Sequence, residues 1–335
     1  MKIPHSTRAL LAFTLSTTTC IAAIVFNATK AAASEKPEFH WIDNTKNSTA
    51  DLKYGDVPVL RYMYAFDRST KESTHDTFKV FHHVFGPGSD KIITKGPGGL
   101  YTHHRGLFVG WNKTSFENQT LDFWHCRKGE HLRHARFIEM KGDTEHGTMT
   151  SEIHWVDRQG RPVIVETRTV AARKHGETGG WQIDWNTVLV SKRGEIKLDG
   201  DRQHAGFQFR AAQAVAEAKN ARYIRPNGFP EQPEAFQVSD GKEPNKHVDL
   251  GWLAMTFEID GTRFNVEYFE DPAVPHPSRY SERPYGRFGA FFKTKFDTDS
   301  PLKMRYRLII SRGKTQQRQA IRKRYDTFLL ELKAQ

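Results

Sequence analysis

A chain of 335 residues, 37% hydrophobic and 27% charged, carries a formal net charge of +11. Its two cysteines exclude a disulfide framework, and its basic residues are dispersed without zinc-knuckle or helix-turn-helix spacing, which argues against nucleic acid as a partner. A moderately basic surface favours an anionic surface or substrate instead.

The N-terminus reads as a secretory leader. Lys2 and Arg8 give a short positive region, Ala9–Phe26 is apolar but diluted by Ser and Thr, and Ala31-Ala32-Ala33 supplies the small residues a signal peptidase reads. Cleavage is expected after Ala33, with a periplasmic or extracellular destination. The apolar stretch is too short for a span of about 20 residues, and no later segment is long and apolar enough to cross a bilayer. Loss of Lys2, Arg8 and Lys30 lowers the charge to +8, and loss of Cys20 leaves Cys126 alone. The mature chain then has no intrachain disulfide, so a large core must carry its stability.

Residues 34–52 are polar with little periodicity and read as a flexible lead-in to a single domain over 53–335. Short extended segments then recur at Val57–Tyr64, Thr77–Phe85, Leu107–Trp111, Thr148–Val156, Val163–Val170, Trp181–Ser191 and His204–Ala211. They continue at Trp252–Ile259, Thr262–Phe269, Phe288–Phe292 and Leu302–Ser311. Gly/Pro/Asp turns separate them, and Asp260-Gly261 between two alternating runs predicts a tight hairpin. Such a series predicts an all-β, mainly antiparallel sandwich. Ile321, Tyr325, Phe328, Leu329 and Leu332 fall on one helical face and predict a C-terminal helix that packs on the sheet.

The densest polar stretch is Tyr101-Thr-His-His-Arg-Gly-Leu-Phe-Val-Gly-Trp111, where His103, His104 and Arg105 lie between a glycine-rich loop and an apolar strand. In extended chain the two histidines point to opposite faces, so one pocket would receive only one of them unless the loop is irregular. Trp124 and His125 follow; the indole is either a platform for a sugar ring or ordinary core. Cys126 reads as a buried, inert thiol. Glu166 and Arg168 share one strand face, as do Glu152 and His154, the latter pair reading as a solvated ion pair. His204, Gln208 and Arg210 alternate with core residues Phe207 and Phe209, which puts them on an accessible or pocket-lining face. Glycines near Arg287 suit a projecting guanidinium for a carboxylate or sulfate. The sixteen histidines include no HExxH motif. Separate strands could assemble His103 or His104 with His125 and His204 around a divalent metal, but the spacing does not demand one, and no cofactor is assigned.

Thr94-Lys-Gly-Pro-Gly-Gly99 with His103-His-Arg-Gly-Leu-Phe-Val-Gly-Trp111, Asp122-Phe-Trp-His125, His204-Ala-Gly-Phe-Gln-Phe-Arg210 and Tyr285-Gly-Arg-Phe-Gly289 resemble the bacterial secreted PmoA-like family, a domain of unknown function. The resemblance spans about residues 55–315. It implies a sandwich similar to the galactose-mutarotase supersandwich, an association with sugar catabolism, and His103, His104, Arg105, His125, His204, Arg210 and Arg287 as the family's polar residues. The Asp-His-Pro that members carry before the histidine pair is replaced here by Gly99-Leu-Tyr-Thr102.

These readings predict a secreted carbohydrate-active enzyme, a glycoside hydrolase or lyase. His104 or His204 would be acid or base and Glu166 their partner carboxylate. His103, Arg105, Trp124, His125, Gln208, Arg210 and Arg287 would bind the sugar. The alternatives are a non-catalytic glycan-binding sandwich and a metal-dependent hydrolase or oxidoreductase.

Overall fold

In the computed structural model, which describes residues 36–229 and 247–334, the chain is built almost entirely from antiparallel strands. They begin with β1 (Phe39–Asn44), β2 (Thr49–Tyr54), β3 (Val57–Met63), β4 (Phe81–Val84), β5 (Leu107–Trp111), β6 (Lys113–Phe116) and β7 (Gln119–Leu121). Then come β8 (His131–Gly142), β9 (His146–Val156), β10 (Pro162–His175), β11 (Gly180–Ser191), β12 (Ile196–Asp199), β13 (Ala205–Arg210) and β14 (Arg222–Ile224). The last are β15 (Trp252–Ile259), β16 (Thr262–Glu270), β17 (Arg279–Arg283), β18 (Arg287–Phe291), β19 (Thr294–Phe296) and β20 (Leu302–Arg312). Three helices accompany them: α1 (Lys71–Asp76), α2 (Gln213–Ala218) and α3 (Arg318–Lys333).

The front sheet runs β1-β2-β3-β4-β5-β13-β18-β17 and the back sheet β14-β15-β16-β20-β11-β10-β9-β8, while β19-β12-β6-β7 form a smaller third sheet. One hydrophobic core joins the two large sheets: Tyr62, Val84, Leu107, Val109, Phe207, Phe209 and Phe288 from the front meet Trp155, Ile164, Ile183, Trp185, Val266 and Tyr306 from the back. The long back strands alternate buried and part-exposed residues, as in β9 and β10, because their outer face meets water. In the front sheet β5, β13 and β18 are buried on both faces. Something other than the back sheet must cover their outer side, and that cover is the site described below. Gly206 of β13, at φ 82°, lets β18 approach: a Cβ there would lie 2.1 Å from the Ala290 carbonyl oxygen.

Asp260 and Gly261 both take positive φ, 49° and 71°, and join β15 to β16 as the sequence predicts. Helix α3 buries Ile321, Tyr325 and Phe328 against Trp252, Phe269 and Ile309. Among the described residues no helix is long and apolar enough to cross a membrane. The leader, residues 1–33, lies outside the described residues. The lead-in expectation is corrected: β1 and β2 fall largely within 34–52 and pair as the edge of the front sheet. Phe39, Ala50 and Leu52 are fully buried there, three apolar anchors too widely spaced to show as a period.

Glu270, at the end of β16, is 2% exposed and accepts hydrogen bonds from Ser278 Oγ at 2.9 Å and Tyr280 OH at 3.0 Å. Burial outweighs these bonds and pushes its pKa from 4.5 up to about 7. A carboxyl whose folded pKa is raised favours the fold below pH 4.5, and that contribution is lost as pH rises towards 7. Glu270→Gln should therefore raise the melting temperature by several degrees at pH 8, from on the order of 3 kcal/mol, and by much less at pH 5. An equal offset at both pH values in thermal melts would refute this assignment.

Candidate functional site

The outer face of the front sheet carries the site. Register places Gln208 between Phe108 and Gly289, and Arg210 opposite Arg287, all on the face opposite the core residues Phe207 and Phe209. Strands β5 and β13 are antiparallel, so His103, ahead of β5, and His204, ahead of β13, start from opposite ends of the pair. The loop over 96–106 must fold back across the sheet to bring these rings within 5.7 Å. Buried cations hold it there. Arg105, fully buried, donates to the carbonyls of Thr102 and His104 at 2.7 Å and of His75 at 2.8 Å. Lys95 donates to the carbonyls of Gly96 and Gly98. Lys79, 1% exposed, donates to the Trp124 carbonyl and sits 3.9 Å from the Phe108 ring centroid.

Three histidines converge above this bed. The ring of His125 lies 4.9 Å from His103 and 4.7 Å from His204. One nitrogen from each of His103, His125 and His204 lies within 4.8 Å of the other two. Two of the rings are fixed by identical turns. Asp122 accepts the backbone N–H groups of Trp124 and His125 and the His125 Nδ1 at 2.8 Å. Asp201 accepts the N–H groups of Gln203 and His204 and the His204 Nδ1 at 3.0 Å. With Nδ1 held by a carboxylate, Nε2 is the nitrogen each ring has left to offer, the arrangement common to metal-bound histidines. His103 Nε2 is buried with no partner. Burial, and then the charges of Lys79 and Arg210, push the His103 pKa down to about 2, so its imidazole is neutral and its lone pair available. Burial opposes the Asp201 charge, yet the bonds from His204, Gln203 and Asn112 hold its pKa below the ordinary carboxylate range.

His104 also faces the cluster, 4.7 Å from His103. The loop is irregular rather than extended, so the expectation that one pocket receives only one of the pair is corrected. His104 is 6% exposed and stacks on Tyr101 at 5.0 Å. Burial and the neighbouring Arg210 lower its pKa well below the usual histidine value. Beside His204 opens a pocket of about 580 Å³ lined by Asp201, Arg202, Gln203, Arg279, Arg283 and Lys293.

Several expected roles are corrected. Glu166 is fully buried between the two large sheets, bound by Trp155 Nε1 at 2.9 Å, Arg168 Nε at 2.7 Å and Thr187 Oγ1 at 3.3 Å. The front sheet stands between it and the histidines, so it is no partner for His104 or His204. Trp124 is fully buried against Phe108, with Arg210 over its ring; it is core, not a sugar platform. Arg105, Gln208 and Arg210 are buried and committed within the protein. Gln208 donates to the carbonyls of Arg202 and Ala205, and Arg210 donates to Gln208 Oε1 and the Gln203 carbonyl. Arg287, 1% exposed, donates to the Arg202 carbonyl at 3.1 Å. These three tie down the 200–204 turn from below. Burial raises the Cys126 pKa, in keeping with an inert thiol, and Glu152 pairs with His154 and Arg136 at the surface.

A family profile matches residues 49–326. The chain belongs to the family of unknown function DUF6807. The PmoA-like label finds no support in that match. No curated protein sequence matches the chain. Among solved structures it is similar to the alpha-galactosidase AgaA from Geobacillus stearothermophilus, with 10% identity, TM-score 0.37, 83% of this chain and 41% of that one covered. It is similar to the alpha-N-acetylgalactosaminidase NagBb from Bifidobacterium bifidum, with 12% identity, TM-score 0.35 and coverage of 87% and 37%. A galactose mutarotase related enzyme from Lactobacillus acidophilus matches with 9% identity, TM-score 0.33 and coverage of 83% and 99%. The DUF6807 chain thus spans less than half the length of the two glycosidases.

Trp124→Ala should cost about 3–5 kcal/mol of stability, the usual penalty for emptying a buried aromatic site, measured by denaturant unfolding. A change under about 1 kcal/mol would return Trp124 to the surface role the sequence suggested.

Proposed function

We propose that this DUF6807 protein is an exported, metal-dependent enzyme acting on carbohydrate, its reaction centre the trio His103, His125 and His204. The observation that carries the proposal is the convergence of three imidazole nitrogens within 4.8 Å with two of the rings held from behind by Asp122 and Asp201. Modest side-chain rotation brings that spacing to the roughly 3.3 Å between nitrogens on tetrahedral zinc. Three histidines with an open fourth position make the donor set of a catalytic rather than a structural site. A divalent ion there supplies Lewis acidity and acidifies a bound water or hydroxyl.

The chain's own residues supply the rest. His103, His125 and His204 would hold the ion, with Nε2 the nitrogen left free on His125 and His204 by their aspartates, which moves His204 from the acid–base role to a ligand role. His104, neutral and with no hydrogen bond to its ring among the described residues, is the proton acceptor at the rim. In hydrolysis, water oxygen bonds to the anomeric carbon, the glycosidic C–O bond breaks, and the proton taken from water returns to the leaving oxygen. The pocket beside His204, with Arg202, Arg279, Arg283 and Lys293 on its walls, suits hydroxyls and an acidic substituent. A purely glycan-binding role is weakened by the burial of Trp124.

Elemental analysis of protein loaded with zinc and then dialysed should find one ion per chain. His125→Ala and His204→Ala should lose it, and Asp122→Ala or Asp201→Ala should weaken binding about 10- to 100-fold. His104→Ala should keep the metal but lower turnover on an oligosaccharide panel about 10²- to 10⁴-fold. Absence of stoichiometric metal would end the metal reading; full turnover by His104→Ala would end the acid–base assignment.

A further inference from the structure

With Trp124 in the core, the apolar platform of the site lies elsewhere. We propose that Tyr101 is the surface on which a pyranose ring stacks beside the histidines, an inference that rests on the carbohydrate reading above. Tyr101 has φ 53°, after Gly98 and Gly99 at 79° and 61°. A bulky residue in the left-handed region costs on the order of 1–3 kcal/mol, and such strain persists where surrounding structure enforces it, often at functional sites. Here the turn is closed by the His104 N–H donating to the Tyr101 carbonyl at 2.8 Å. The strained ring is not buried in return: Tyr101 is 39% exposed and its neighbour Leu100 47%. They are adjacent members of the short set of exposed large hydrophobics among the described residues, and both lie on the histidine loop.

The ring's contacts leave part of it open. Tyr285 lies 4.4 Å from it and His104 5.0 Å, while Tyr285 and His104 are only 5.9 Å apart. That is far less than the two spacings added together, so the two neighbours do not flank Tyr101 from diametrically opposite sides, and 39% of the residue stays exposed. A pyranose has one face of C–H groups and a rim of hydroxyls. Its C–H face fits the exposed part of the tyrosine ring, and because His104 stacks on Tyr101 at 5.0 Å and lies 4.7 Å from His103, the sugar is held within two aromatic rings of the histidine trio.

The test is saturation-transfer NMR on the full chain with methyl gluco-, galacto-, manno- and xylopyranosides and with glucuronate; acyclic sorbitol is the control that has no ring face. Transfer to the ring C–H protons of at least one pyranoside is expected, with none to sorbitol. Tyr101→Ala should weaken that binding about ten-fold, a loss of about 1.4 kcal/mol, while thermal unfolding stays cooperative; alanine keeps the Cβ, so the left-handed strain remains and the loop is not remodelled. Tyr101→Phe should stay within two-fold. His125→Ala should keep the transfer, because the platform does not need the ion. Wild-type protein that binds no pyranoside, or Tyr101→Ala that binds as wild type, would overturn the platform. If the wild type holds no metal yet the Tyr101 effects appear, the platform stands and the metal reading alone falls.

Discussion

Lys79, Arg105 and Arg210 are the constraint on which the site depends: basic side chains driven into the outer face of the front sheet with, among the described residues, no carboxylate in direct hydrogen-bond contact. Asp76 reaches Arg105 only at 3.9 Å. A buried charge must be compensated, and here backbone carbonyls do it. Each guanidinium or ammonium gathers carbonyls from loops that would otherwise be independent: Arg105 from the histidine loop and the end of α1, Arg210 from the 200–204 turn, Lys79 from the turn that presents His125. Loop geometry and charge burial are therefore one event. Truncating any of these cations would release a loop and leave its carbonyls unsatisfied.

The same arrangement sets the electrostatics above. Imidazoles resting on positive charge in a dry environment stay neutral, as the depressed values of His103 and His104 show. Neutral imidazole is the form that binds metal and accepts protons. The carboxylates sit behind His125 and His204 rather than under the cluster, so they orient two rings without offsetting the field that keeps His103 uncharged.

How much of this could be read from the sequence differs by element. Hairpins and long back strands were legible because one face meets water and the alternation is strong. Strands β1, β2 and β8 were not, since β1 buries only Phe39, β2 only Ala50 and Leu52, and β8 only its first two residues. In the front sheet the period-two rule correctly separated Phe207 and Phe209 from Gln208 and Arg210. It could not say that both faces are buried, because burial on the outer side comes from loops distant in sequence. Glu166 shows the same limit. Its strand face was assigned correctly, but the face points into the sandwich, where Arg168 lies over the Trp185 ring and His82 packs edge-on to the same indole. Polar networks lie on both sides of the front sheet, and sequence alone does not show which one a given residue joins.

The histidines were visible as a cluster; their partners were not, though a signal existed. Asp122-Phe-Trp-His125 and Asp201-Arg-Gln-His204 share the spacing in which an aspartate caps two backbone N–H groups and takes the ring three residues on. The motif is not sufficient alone: Asp143-Thr-Glu-His146 builds the same turn at the exposed tip between β8 and β9, where no second histidine faces it. What distinguishes the two site turns is location. The 201–204 turn leads into β13, and the 122–125 turn is tied to the end of β5 by the Phe123 N–H donating to the Trp111 carbonyl at 3.0 Å, so both sit beside the strands under the folded-back histidine loop. An aspartate-oriented imidazole could serve as a ligand only where another imidazole is brought opposite, and in this fold Arg105 does that by closing the loop.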